Sequence, residues 1–521
     1  MAVVTAIPEE LAAKIGALPD WAGDGGKWLA DIIEKHKSWL NEEGIATYQA
    51  AYDGYLESVE NREKDRGDDI NYKLQVNYAQ LIIDTVTDYL TGKPIVWTVE
   101  KPEEEGVDQK TVDEYKKEIL KLLRSQAAQR IFAEQLRQGS IAGYSAIISW
   151  VDEKGRIDYD EFPVQEVVPV YDVRGRLLLL VRYYDVEEGT GEQQTTVTKV
   201  EVYDDQYVTY YTQEEGGSFV LDGGQDNPVK HLAGRIPVSL FINGTPARHE
   251  KRQRKNGTSD LGNGVLSLLE AYAHGMSDKA NMADRLQDAY LKLQGVDTDE
   301  KEVRLMRKAR AIQLKGAVGV SDATFIAQDQ EDKAVENNLN RLRDTIHDQT
   351  QTPKLADLSG ATATEVKMKY AGLDIKAGKK ELYFVEAIQQ HIAVLTDLLN
   401  ARRLIEAGVE DPYPVLAGVG TSSLQLYNPE WLTVTVNRNL PQNFKEIADI
   451  VAALAGKVPD AYLYELLWFI DDPVEALEEM KAQKDEEADR TATSALGFGS
   501  TFSRGGTNTD SNNADDGGGG Q

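Results

Sequence analysis

The sequence predicts an α+β chain, and two changes of period carry that reading. Apolar residues recur at spacings of three and four up to about Gly143. They then fall into short runs rich in Val, Ile and Tyr from Ala146 to Ile242, and the helical spacing returns from Leu261. A chain of 521 residues corresponds to about three or four compact units at roughly 150 residues each. With 41% hydrophobic and 28% charged residues it has the material for a buried core.

Taken in order, the first helix shows Trp28, Ile32, Ile33, His36, Trp39 and Leu40 on one face. A second runs from about Lys73 with Leu74, Tyr78, Leu81, Ile82, Thr85 and Tyr89 aligned, Asp69 or Asn71 as its N-cap, and Gly92 and Pro94 as its stop. Residues 112–124 and 130–138 read as two more helices, ending at Gly139. Residues 146–151, 157–162, 167–171, 177–185, 196–203, 207–212 and 219–221 read as strands, with turn signals such as Asp152-Glu153-Lys154-Gly155 between them. They form an antiparallel meander whose last strand is 238–242.

The second half is mostly helical. A helix over 261–291 places Val265, Leu269, Tyr272, Met276, Ala280, Ala283 and Tyr290 on one stripe and would be about 45 Å long. A small mixed unit at 295–330 holds a basic helix and a strand at 317–320. Val335, Leu339, Leu342 and Ile346 then give a helix with an apolar stripe one residue wide, ended by Pro353, with a loop over 352–360. Beyond Gly360 a helical pattern continues through Val366, Tyr370, Leu373, Ala377, Phe384, Ile388, Ile392, Leu395 and Leu399. Gly372 and Gly378 inside it are expected to weaken or bend it. A strand at 432–436, an acid-rich helical segment at 443–490 and a Gly-rich polar tail at 491–521, read as disordered, complete the chain.

Composition excludes several chemistries. With no cysteine there is no disulfide framework, thiolate zinc site, iron–sulfur cluster or cysteine nucleophile. The longest aliphatic run, Leu177 to Val181, is far short of the ~20 residues that cross a bilayer. The first ten residues carry Glu9 and Glu10 and no basic stretch, so no secretory signal is expected. A formal charge of −30 argues against a protein that coats nucleic acid over its whole surface. Gly92-Lys93 is followed by Pro94, not by Ser or Thr, and so is no phosphate loop. The six histidines stand singly, and no Gly-x-Ser-x-Gly occurs. No catalytic residue, metal ligand or cofactor is expected.

Two basic clusters stand out on the acidic background. One is Arg248, Lys251, Arg252, Arg254 and Lys255, just before the helix at Leu261. The other is Lys301, Arg304, Arg307, Lys308 and Arg310. Each can hold phosphate or a partner's acids, but the plainer readings, a flexible loop for the first and a charged outer face paired to neighbouring carboxylates for the second, are favoured. A second reading of the whole chain is an acidic, multi-domain carbohydrate-active enzyme built on the strand-rich region. It requires two carboxylates facing one cleft.

Four stretches carry a family resemblance. They are Asn77 to Asp84 running on through Tyr89-Leu90-Thr91-Gly92-Lys93-Pro94, Glu166 to Asp172, Gly234-Arg235-Ile236-Pro237-Val238, and Ser359-Gly360-Ala361-Thr362-Ala363. In this order the chain resembles the portal proteins of long-tailed double-stranded DNA bacteriophages. The resemblance implies a wing (1–260, continued by 361–442), a stem (261–291 and 331–350), a clip (292–330), a tunnel loop (351–360) and a crown (443–490). It also implies a homo-oligomeric ring, typically a dodecamer, at one vertex of the virion, assembled in the host cytoplasm. Double-stranded DNA would pass through the ring for packaging, retention and ejection. The implied partners are the large terminase subunit, a head-tail adaptor protein, and the major capsid and scaffolding proteins, with no membrane. On that resemblance Lys354, Leu355 and Leu358 are expected to face DNA, and the basic clip helix to line the exit or dock terminase or adaptor.

Overall fold

The computed structural model describes residues 26–63, 71–102, 106–172, 175–188, 195–213, 217–244, 256–287, 290–294, 299, 301, 304, 322–326, 332–354, 363–439, 444–465, 467, 476–477 and 479–484. Contacts divide the chain into Met1–Leu440 and Pro441–Gln521, two units where the length suggests three or four.

The first unit opens with α1 (Lys27–Glu42), α2 (Ile45–Tyr52), α3 (Glu57–Glu60) and α4 (Tyr78–Thr91). α4 starts five residues later than its periodicity suggests, and its cap is Asn77, whose side chain accepts from Gln80 N at 3.1 Å. Residues 71–77 are instead an extended strap. The N–H groups of Tyr72 and Leu74 donate to the side chains of Asn281 (2.8 Å) and Ser277 (2.9 Å), and backbone held that way cannot close helical turns. Next come β1 (Val96–Val99), α5 (Gln109–Leu123) and α6 (Gln126–Ala142), the last capped by Ser125. α6 passes through Gly139, where its end was expected, and stops at Gly143, whose φ of 102° suits glycine alone. A Cβ at Gly139 would overlap the Phe241 ring, so this glycine permits a close approach and is no stop.

The strands are β2 (Tyr144–Val151), β3 (Ile157–Phe162), β4 (Val167–Tyr171), β5 (Leu177–Glu188), β6 (Thr195–Tyr203), β7 (Tyr207–Gln213), β8 (Phe219–Leu221), β9 (Val229–Lys230) and β10 (Val238–Ile242). They form two sheets and no single meander. β10 returns to pair with β2, Val238 opposite Ile148, giving the order β10-β2-β3, while β4 to β8 follow one another in a second sheet with β9 on β7. The turn after β3, closed by Glu166 N on Pro163 O, redirects the chain between the two.

Alternation then builds layers. Val168, Val170, Leu179 and Val181 pack with Leu29, Ile33 and Trp39 of α1. Val167, Tyr171 and Leu180 pack on the opposite face with Ala146, Ile148 and Leu240 of the smaller sheet. Ile147 and Phe241, pointing the other way, join a helical core with Phe132 of α6.

The second half of the unit comprises α7 (Val265–Gln287), β11 (Tyr290–Gln294), β12 (Asp322–Ile326), α8 (Asp332–Thr350), the 44-residue α9 (Ala363–Glu406), α10 (Tyr413–Leu416) and β13 (Leu432–Thr435), of which α9 and β13 complete that core. Helix α7 ends at Gln287. Tyr290 and Leu291, placed on its stripe by spacing, belong to β11, which pairs antiparallel with β12 through Tyr290 opposite Ile326. The expected strand at 317–320 lies outside the described residues. β13 pairs with β1, Val96 opposite Thr435. α9 is helical through Gly372 and Gly378. These glycines let Gln351 and Arg438 pack close, with a built Cβ at 3.6 Å from Gln351 Cβ and 3.1 Å from Arg438 Nη2. Among its residues Leu373, Ala377, Phe384, Ile388, Ile392, Leu395 and Leu399 are buried against α4, α5 and α6.

The second unit holds α11 (Phe444–Leu454) and α12 (Asp460–Glu465). Gly456, at φ 78°, and Pro459 interrupt the helix expected across 443–490. The tail at 491–521 lies outside the described residues.

Candidate functional site

Helices α7 and α8 form an antiparallel pair packed against α2, α3 and α4. Gly275 faces Leu339, Lys279 pairs with Glu336, and Leu261, Val265, Leu269 and Ala273 are buried with Ile346. The strap holds α7 along its length. Besides the Asn281 and Ser277 contacts, Arg62 reaches the His274 carbonyl (3.3 Å) and the Asp278 carboxylate. Tyr78 lies edge-on to both Tyr272 and His347, with centroids 5.3 and 5.9 Å away.

At the far end of α8 the chain turns back sharply. Gln351 adopts φ 56°, and Thr352 N donates to His347 O at 3.1 Å. His347 Nδ1 donates to Thr352 O at 2.9 Å, and the Thr350 and Thr352 hydroxyls share a 2.9 Å bond. Lys354 extends this cap, its Nζ lying 2.7 Å from Asp344 Oδ1 and so tethered to α8. The neighbouring Lys354 ammonium holds the Asp344 carboxyl below its ordinary value. Leu355 and Leu358 lie outside the described residues.

Beneath this point is a buried ionic cluster. Asp260, one residue before Leu261, is held by its N–H on Ser140 O (2.9 Å). Its Oδ1 accepts from Asn243 (3.0 Å), and its Oδ2 accepts from Lys380 (2.7 Å), with Lys376 Nζ 3.5 Å away. Lys380, only 4% exposed, also donates to Ser140 Oγ at 2.6 Å. Lys376 donates in addition to the carbonyl of Thr350 at 3.3 Å. Burial acts to raise the Asp260 carboxyl, but the two ammonium groups, with hydrogen bonds from Lys380 and Asn243, hold it far below the usual range. Burial lowers Lys380 to about 8 against the pull of Asp260, and Lys376 lowers it further.

Sequence reading missed this cluster, although a signal was present. Lys380 falls on the core stripe of α9, between Ala377 and Phe384. A lysine there must find a buried partner or snorkel to solvent.

The other expected site residues are only partly placed. Lys301 and Arg304 are exposed at helical positions, whereas Arg307, Lys308 and Arg310 lie outside the described residues. So do Arg248, Lys251, Arg252, Arg254 and Lys255. A cavity of about 610 Å³ between the two sheets and α9 is lined by Leu177, Asp204, Asp205, Arg235, Ile236 and Glu386, among others. Of its two aspartates one holds a turn and the other a distant tyrosine. Asp204 Oδ1 accepts from Gln206 N (2.7 Å) and Tyr207 N (2.6 Å), and Asp205 accepts from the Tyr413 hydroxyl (2.5 Å). These two carboxylates are thus engaged with the protein itself, and Glu386 lines the cavity beside them. Among the described residues no group of three His, Asp or Glu side chains is arranged to hold a metal ion, and no helix is long and apolar enough to cross a membrane.

The chain is similar to known proteins over most of its length. The family described as "Phage portal protein, SPP1 Gp6-like" matches residues 34–490. The portal protein of Bacillus phage SPP1 is 27% identical over 321 residues, which is 58% of this chain and 58% of that protein. The chain thus spans less than two thirds of that relative's length. A solved structure titled "Neck of empty GTA particle computed with C6 symmetry" is 12% identical, with 75% of this chain and 89% of that chain covered at a TM-score of 0.40.

Proposed function

The chain belongs to the SPP1 Gp6-like family of phage portal proteins, and from that premise we propose that it is one subunit of a closed ring forming the DNA channel at a capsid vertex. The observation that carries the ring is on α9. Met368, Ile375 and Leu382 are 73%, 58% and 73% exposed and recur every seven residues, with the exposed Ala371 between the first two. That is an apolar seam of the kind that packs against another helix, left open in the single chain.

In this reading α7 and α8 are the stem, 292–330 the clip, 351–360 the tunnel loop, and 443–490 the crown. Residues 1–260 with 361–442 make the wing. Twelve copies at −30 total about −360, so the wall of the bore repels phosphate and a duplex slides without being gripped. A few cations, Lys354 and the clip's Lys301 and Arg304 among them, set the points of contact. The ring works in the virion after assembly in the host cytoplasm, docking first the large terminase subunit and then a head-tail adaptor, within a shell of capsid and scaffolding proteins. ATP is consumed by the separate motor.

Light scattering tests the ring and the seam together. The wild-type chain is expected to elute at many times its 57.8 kDa, and Leu382→Glu to shift it toward single chains with an unchanged circular dichroism spectrum. A monomeric wild type overturns the ring. A Leu382→Glu protein that assembles normally removes the seam from it.

A further inference from the structure

Lys376 lies where three elements meet, and it touches two of them at positions that matter. One contact is the carbonyl of Thr350, the last residue of α8, from which 351–360 departs. The other is the carboxylate of Asp260, in the turn five residues before α7 begins. Asp260 in turn is fixed to α6 through Ser140 O and to the end of β10 through Asn243. A single side chain on α9 therefore joins the root of the loop segment to the root of the first stem helix.

The charge arithmetic of the cluster makes that link easy to break. One buried carboxylate faces two ammonium groups, leaving one positive charge in excess. Lys380 alone, at 2.7 Å and 4% exposed, satisfies Asp260. Lys376 is held more loosely, at 3.5 Å from the carboxylate and 3.3 Å from the carbonyl, and it is the more exposed of the two. Withdrawing it removes a like-charge repulsion from Lys380 and leaves a neutral buried pair. Such a cluster has two acceptable arrangements, and a switch requires that much.

We propose that Lys376 is a latch coupling the root of the 351–360 segment to the root of α7, so that displacement of one is felt at the other. Lys376 is a positioning residue here, acting through Asp260 and the Thr350 carbonyl. The inference deepens the channel reading in one respect only: that reading makes the coupled segment the one facing DNA. The latch itself concerns the fold of each chain.

Hydrogen exchange of the full-length protein, read by mass spectrometry, tests it. Asp344→Ala removes the Lys354 tether and loosens the loop root without touching the buried cluster. In the wild-type background it is expected to speed exchange about fivefold both in peptides covering 347–354 and in peptides covering 256–264. In a Lys376→Met background the same change should speed only 347–354. Lys376→Arg, which keeps the charge, should restore the joint response, and the uncharged Lys376→Gln serves as the background if Lys376→Met does not fold. An Asp344→Ala protein whose 256–264 peptides exchange at the wild-type rate overturns the latch, and so does an equal response in the Lys376→Met background. Because exchange is read peptide by peptide, the outcome stands whether scattering finds a ring or a monomer, so failure of the latch and failure of the channel reading are separable.

Discussion

His391 is fully buried with neither ring nitrogen hydrogen-bonded, its ring 4.4 Å from that of Tyr159 and edge-on to Phe132. Burial lowers its titration to about 3. His36 is lowered to about 3 by burial and then Lys37. It is neutral between two phenols: Tyr144 donates to Val167 O, so it accepts from Nε2, and Nδ1 accepts from Tyr183. His231, donating from Nε2 to Asp204 O and accepting Ala233 N at Nδ1, is lowered by burial to about 4. All three bind a proton more readily unfolded, at about 6.5, than folded. The stability they contribute is therefore complete above pH 6.5 and lost as the pH falls through about 4 for His231 and about 3 for His36 and His391. Glu161 works the other way. Burial, with Glu134, Asp160 and Glu166 nearby, raises it to about 8, so the folded state gains from it as the pH falls from 8 toward 4.5. Three histidines less one carboxyl, at about 1.4 kcal/mol per pH unit each, predict a loss of about 3 kcal/mol per unit between pH 6 and 5 from these groups. His391→Phe, which suits its aromatic surroundings, should flatten the acid side of a melting-temperature profile by one histidine's share. A profile parallel to wild type would defeat that account.

Among the elements, the α7–α8 pair depends on one small residue. A Cβ at Gly275 would stand 2.8 Å from Leu339 Cδ2, so the glycine forgoes up to ~1 kcal/mol of helix propensity to let the helices close. Gly275→Val is expected to cost about 1–3 kcal/mol by overpacking, read as a lower unfolding midpoint, and Leu339→Ala should relieve it in a double-mutant cycle. An undiminished cost in the Leu339→Ala background would place the strain elsewhere. The same pair shows what a sequence can disclose about an element. Leu339 and Ile346 were legible because a one-sided stripe is a local, periodic property. The end of α7 was not, because Tyr290 and Leu291 satisfy helix spacing and strand alternation alike, and only pairing with 322–326 decides between them. The start of α4 was obscured for a related reason. Leu74 is on period, but its N–H belongs to Ser277, two hundred residues away. The long helix α9 was legible apart from the bend expected at Gly372 and Gly378, whereas β1 was not, since four residues after Pro94 carry too short an alternation to stand without their partner β13.

At the scale of the whole molecule the candidate site divides along the same line. The loop root was visible as Pro353 and a break in period, and Lys354 as a cation beside it. Its tether to Asp344 and the Asp260–Lys376–Lys380 cluster are contacts between distant segments that no local pattern encodes. The tether also sharpens what a charge reversal at Lys354 tests. Lys354→Glu does two things at once: it removes a cation from the loop root, and it sets a second carboxylate beside Asp344, loosening the cap on α8. Pairing it with Asp344→Lys restores the ion pair with its charges exchanged and leaves the total charge as in wild type. If Lys354 acts on DNA directly, both the single and the double variant should form normal rings and package less DNA per particle, because each has lost the cation at that position. If it acts by holding the loop root, the single variant should be defective and the exchanged pair restored. Normal genome content in the single variant, with rings intact by microscopy, would remove Lys354 from the proposed DNA path and leave Lys301 and Arg304 as the proposed points of contact.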